Sequence, residues 1–106
     1  MKIGQIRQGD VLLVPVGEPP PEGTGVQAEA VLAVGEVSGH AHRLTGVVQD
    51  WQASGRRFVR VLAAPGNLSH EDHDPTPAAV IPAGQTYEVI LQREWDLAGQ
   101  WRQVID

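Results

Sequence analysis

The sequence contains no cysteine, which rules out a disulfide frame, a thiolate nucleophile and any cysteine-type zinc site. Thiol usage therefore says nothing about redox compartment. Basic residues are scarce as well: Lys and Arg number 8 against 13 Asp and Glu, a formal net charge of -5. Arg43, Arg56, Arg57 and Arg60 are offset by carboxylates elsewhere, so there is no basic footprint for a phosphate backbone, and nucleic acid is not an expected partner. Long hydrophobic runs are missing too. The first apolar run, Val11 to Val16, is too short for a signal-peptide core or a membrane span. The expectation is a cytoplasmic protein with no membrane association. Aromatic residues make up only 5% of the chain. Trp51, Trp95 and Trp101 read as core or interface residues, and the hairpin carrying Trp95 and Trp101 is the expected face of a symmetric homo-oligomer.

What is present is a β-branched apolar composition spread over 106 residues, the size of one domain with one core. Ile3 to Arg7 and Asp10 to Val16 read as strands around Gln8-Gly9, and the unbroken Val11-Leu12-Leu13-Val14 fits a strand buried on both faces. Gly17 to Gly25, with Pro19-Pro20-Pro21, cannot maintain a hydrogen-bonded ladder and is expected to be an extended loop. Gln27 to Val37 reads as a strand leading into His40-Ala41-His42, although Ala28 to Ala33 also suits a short helix. Val47 to Trp51 and Arg56 to Ala63 form an expected hairpin through Ala53-Ser54-Gly55. Ala64 to Ala79 reads as a loop, and Gln85 to Asp96 is the longest strand signal before a turn at Leu97-Ala98-Gly99 and a last run, Gln100 to Ile105. These short strands, with no convincing helix, predict one all-β domain over residues 1–106, a small barrel or sandwich.

The chemistry is concentrated in the histidines. All four fall in two pairs, His40 with His42 and His70 with His73. Residues i and i+2 of a strand share a face about 6.5 Å apart, so His40 and His42 can aim at one point. One histidine alone is more simply a polar residue on a solvent-facing edge. Two answering pairs with none left over point instead to a metal site of imidazole nitrogen and carboxylate oxygen. His70 and His73 would face opposite ways on a strand but are neighbours on a helical turn, which Ser69 and Asp72 resemble a weak cap for. Either all four histidines bind one ion, or three do and a carboxylate or water completes the shell. Glu71 is the candidate catalytic acid or base, with Asp72 and Asp74 as further carboxylates in what is otherwise a solvated acidic loop. Ser38 lacks the hydrogen-bonded base and third orienting group that a nucleophile needs.

Two stretches resemble the metal-binding motifs of the cupins: Gly35 with His40-Ala41-His42, and the Pro-x-Gly turn of Val80-Ile81-Pro82-Ala83-Gly84. That resemblance implies a small β-barrel whose His-x-His strand and a later histidine hold a divalent ion. The chain departs from the pattern in two places. No glutamate follows His42 in Arg43-Leu44-Thr45-Gly46-Val47, and Tyr87 stands where a histidine is expected, so a third ligand would come from His70 or His73. Over most of its length the chain also resembles a family of small uncharacterised bacterial proteins. The residues that carry this are Gly9-Asp10-Val11-Leu12, Gly35 to Arg43, His70 and His73, Pro82-Ala83-Gly84, Tyr87-Glu88-Val89 and Gln92-Arg93-Glu94-Trp95. That likeness implies a shared design and no particular activity.

The functional expectation is a metal-binding β protein with His40, His42, His70 and His73 as ligands. Zinc is the first choice of ion, and iron, manganese and nickel accept the same donors. An incomplete shell would make it a hydrolytic or oxidative enzyme acting on a small molecule. A closed shell would make it a non-catalytic binding or assembly module with a structural metal.

Overall fold

Each strand of the protein pairs antiparallel with its neighbours in a computed structural model that describes residues 4–34, 41–70 and 79–92. The strands are β1 (Ile6–Gln8), β2 (Val11–Val16), β3 (Gln27–Val34), β4 (Ala41–Ala53), β5 (Arg56–His70), β6 (Ala79–Ile81) and β7 (Thr86–Leu91). Among the described residues there is no helix, so the helical alternative for Ala28 to Ala33 is replaced by β3. The sheet runs β1-β2-β7-β5-β4-β3, with β6 added against β5. Among the described residues this path does not close into a barrel, and the fold is sandwich-like.

Local chemistry sets the turns. Ser54 and Gly55 both have positive φ, 54° and 76°, the backbone of the two-residue hairpin turn whose twist matches its flanking strands. From that turn the β4–β5 hairpin extends much further than its apolar pattern suggests, and it bends where Thr45↔Asn67 pairing gives way to Val47↔Leu62. Gly46 and Gly66 make the bend possible. A Cβ on Gly66 would lie 2.6 Å from the Thr45 carbonyl oxygen, and one on Gly46 would lie 3.3 Å from the Gly66 Cα. Ala64 to His70 is thus strand, contrary to the loop expected from Pro65-Gly66-Asn67: proline and glycine mark a bulge within β5 and not its end.

The bend gives β5 two successive neighbours. Arg57 to Arg60 pair with β7, while Gly66 to Leu68 pair with β6. The core draws Val11 and Leu13 from β2 and Ala30, Leu32 and Ala33 from β3, although these strands lie near opposite ends of the path. A flat sheet could not bring them into one cluster, so the sheet curls around Leu44, Val48, Val59, Val61, Leu68, Ile81 and Tyr87. Each fully buried Val or Leu in this set contributes roughly 1.5–3 kcal/mol. The expected strands before Ile6 and beyond Gln92, with the Trp95 and Trp101 hairpin, fall partly or wholly outside the described residues.

Candidate functional site

The register of β4 on β5 places His42 directly opposite His70. Residues paired in this way lie on the same face of the sheet, and the two imidazole rings are 4.4 Å apart between centroids, tilted by 30°. One histidine from each sequence pair is therefore brought together, across two strands. His40, His73, Glu71, Asp72 and Asp74 lie outside the described residues.

The curl of the sheet carries the β1–β2 turn onto this pair. Gln8 ends β1 and is 2% exposed. Its amide nitrogen donates to the Leu68 carbonyl at 2.9 Å, and its amide oxygen lies 2.8 Å from His42 Nδ1. The bond to Leu68 fixes which end of the amide faces the histidine. That oxygen can only accept, so Nδ1 carries the proton and Nε2 holds the lone pair of the neutral ring.

Nε2 in turn faces Asp10, whose Oδ1 is 3.5 Å away. Asp10 is held by its backbone, since its carbonyl accepts from Gln92 N–H at 2.7 Å. Gly9 makes the approach possible. It takes φ +60°, and a Cβ there would stand 3.1 Å from His42 Cε1. The geometry thus adds Gln8 and Asp10 to the histidines. Glycine before aspartate signals a turn in sequence, and the residues that a turn touches across the fold are set by tertiary packing that no local pattern encodes.

Among the described residues no group of three or more histidine, cysteine or carboxylate side chains already closes around a point as a metal-holding set. The arrangement is a buried amide, two facing imidazoles and a carboxylate, with His42 only 6% exposed and the Asp10 side chain 29% exposed. A separate cavity of about 280 Å³ is lined by Val16, Glu18, Arg60 and Thr86 among others, and no predicted site residue borders it. No helix among the described residues is long and apolar enough to cross a membrane.

The fold and this cluster define a small antiparallel β-sandwich with a histidine–carboxylate node at the junction of β1, β2, β4 and β5. The chain belongs to the family described as a domain of unknown function, DUF8820, which matches residues 7–92. Neither the curated proteins nor the solved structures include a match.

Proposed function

We propose that the protein is a small metal-binding β protein whose ion is held by His42 and His70, with His40 and His73 as the further imidazoles. The observation that carries the reading is the Gln8–His42 hydrogen bond, 2.8 Å long. Ligating histidines commonly direct their second nitrogen at an oxygen acceptor, which fixes the tautomer and raises ligand basicity.

With three protein donors the ion keeps a position for water or a small-molecule substrate, and the chemistry is hydrolytic or oxidative, with Glu71 handling protons. A second reading, a closed structural ion in a binding or assembly module, is favoured by the burial of His42 at 6% and Gln8 at 2%. Zinc is the first candidate under both, and iron, manganese and nickel are compatible.

The test is metal content of the full chain purified without added metal, beside His42→Asn, whose amide nitrogen preserves the donor to Gln8 but removes the Nε2 ligand. One ion per parent chain is expected, with stoichiometric binding lost in the variant and its metal-free melting curve unchanged. Equal binding by both proteins, or a parent indifferent to chelators, overturns the reading. Exchange of metal-bound water separates the catalytic form from the closed one.

A further inference from the structure

We infer that the cavity where β2 ends and β7 begins binds a small carboxylate that also carries a cationic donor, of the amino-acid type, with Arg60 holding the carboxylate and Glu18 the ammonium group. The site is separate from the histidine cluster and does not depend on the metal reading.

Strand register builds its floor. Thr86 pairs with Val16 on one side and with Arg60 on the other, so these three side chains lie on one face of the sheet. Their chain neighbours Val59 and Tyr87 point the other way, into the core. Gly17 to Pro19 and the pair Gly84 and Gln85 form the walls. Gly84 is tied to β5, its N–H donating to the Val61 carbonyl at 2.7 Å. Gln85 is tied to β2 and β7, its amide nitrogen donating to the carbonyls of Val16 at 3.0 Å and Thr86 at 2.8 Å.

The arginine carries the inference. Arg43, Arg56 and Arg57 each meet a carboxylate, at 2.8, 3.0 and 2.6 Å. Among the described residues Arg60 meets none. Its Nη2 donates to the Gly84 carbonyl at 3.1 Å, and its Nε is buried without a partner. The bond to Gly84 positions the guanidinium but leaves its charge unpaired, and a carboxylate supplies two oxygens that match the planar fork. Glu18 decides what else the ligand carries. It lines the same cavity, and its partner Arg56 stands 3.6 Å away while already gripping Glu88 through bonds of 3.0 and 3.1 Å. A plain anion on Arg60 would face this carboxylate, whereas an ammonium group turns the repulsion into attraction. The cavity of about 280 Å³ falls just below the roughly 300–1,000 Å³ of sites for drug-sized molecules, which selects a compact ligand.

Calorimetric titration of the full chain with alanine, acetate and inorganic phosphate is the test. One alanine per chain is expected, bound more tightly than acetate or phosphate. Arg60→Gln, first checked for native far-UV dichroism, should weaken alanine binding roughly 10- to 100-fold, as loss of hydrogen bonds to a charged group does. Glu18→Gln should erase the preference for alanine over acetate, and a preference that survives it overturns the place given to Glu18. The inference is overturned if alanine shows no saturable binding, if a folded Arg60→Gln binds it as well as the parent, or if phosphate binds most tightly. If Arg60→Gln does not fold, backbone amide shifts of the parent decide: alanine should move Gly84, Gln85 and Thr86, and shifts confined to other residues overturn the site.

Discussion

A glutamine side chain offers one carbonyl and one amide, and Gln8 uses each on a different strand, donating to Leu68 O and accepting from His42 Nδ1. Removing the acceptor leaves the imidazole without the partner that sets its tautomer. On the metal reading proposed above, Gln8→Met, close in shape and apolar, should therefore weaken metal binding about 10- to 100-fold. Gln8→Glu keeps an oxygen toward His42 and should restore most of that affinity, although it gives up the bond to Leu68. Competition against a chromophoric chelator measures both, and failure of the glutamate to rescue would reduce Gln8 to a packing residue. The sequence singled out the histidines because their pairing is unusual in itself, and the register of β4 on β5 brings His42 and His70 together. Gln8 and Asp10 were not, since an amide and an acid flanking a turn glycine look the same whether the turn faces solvent or a buried imidazole. Their role comes from a contact between residues 34 positions apart, Gln8 and His42, which local periodicity does not record.

Among the elements, β5 shows where sequence punctuation misleads. Pro65-Gly66-Asn67 has the composition of a loop, yet the chain continues as strand because β4 bends with it and Gly66 lets the two backbones meet. The Ser54-Gly55 turn, by contrast, was readable, since a two-residue connection with positive φ is a local property. The bend also decides where His70 goes. With Thr45↔Asn67 in register, His42↔His70 follows three residues on, so a shift at the bend would move His70 to the other face of the sheet. Gly66→Ala would drive a Cβ to 2.6 Å from a backbone oxygen, and backbone cannot swing aside as a side-chain tip can. We expect a loss of about 1–3 kcal/mol, typical of overpacking, and, on the metal reading proposed above, weakened metal binding because the histidine pair loses its register. Urea unfolding gives the first quantity, and metal titration of the folded fraction gives the second.

At the scale of the whole molecule, the core holds a phenol. Tyr87 is fully buried in the apolar cluster, and its hydroxyl has no hydrogen-bond partner among the described residues. Burial raises its pKa above the ordinary 10.0, because the phenolate would lose its hydration. The folded chain thus keeps the proton more tightly than the unfolded chain. Its contribution to stability is complete below the unfolded value and declines as pH rises from there through the folded one. Tyr87→Phe should remove that part of the alkaline decline and, by deleting an unsatisfied polar group, stabilise the protein at neutral pH by about 1 kcal/mol. Urea denaturation of parent and variant at neutral pH and above pH 10 tests both, and parallel pH curves would contradict it. As this is the chain's one tyrosine, tyrosinate absorbance should appear together with global unfolding.

The pairing of β2 with β7 joins Val11 to Leu91 and Val16 to Thr86, and that has a consequence in time. On the ribosome the apolar strand Val11–Val16 is made before β3 to β6, and the strand that covers its edge follows only after them. Closing so long a loop is entropically slow, whereas the β4–β5 hairpin can form as soon as its tip is out. The nascent chain must therefore carry an unpaired hydrophobic edge while β3 to β6 are made, a condition that invites aggregation or a chaperone. Gln8 and Asp10 travel with that edge, so they reach His42 and His70 only when the β1–β2 segment docks. The contacts of Gln8 and Asp10 with His42 then mark a chain whose folding has finished.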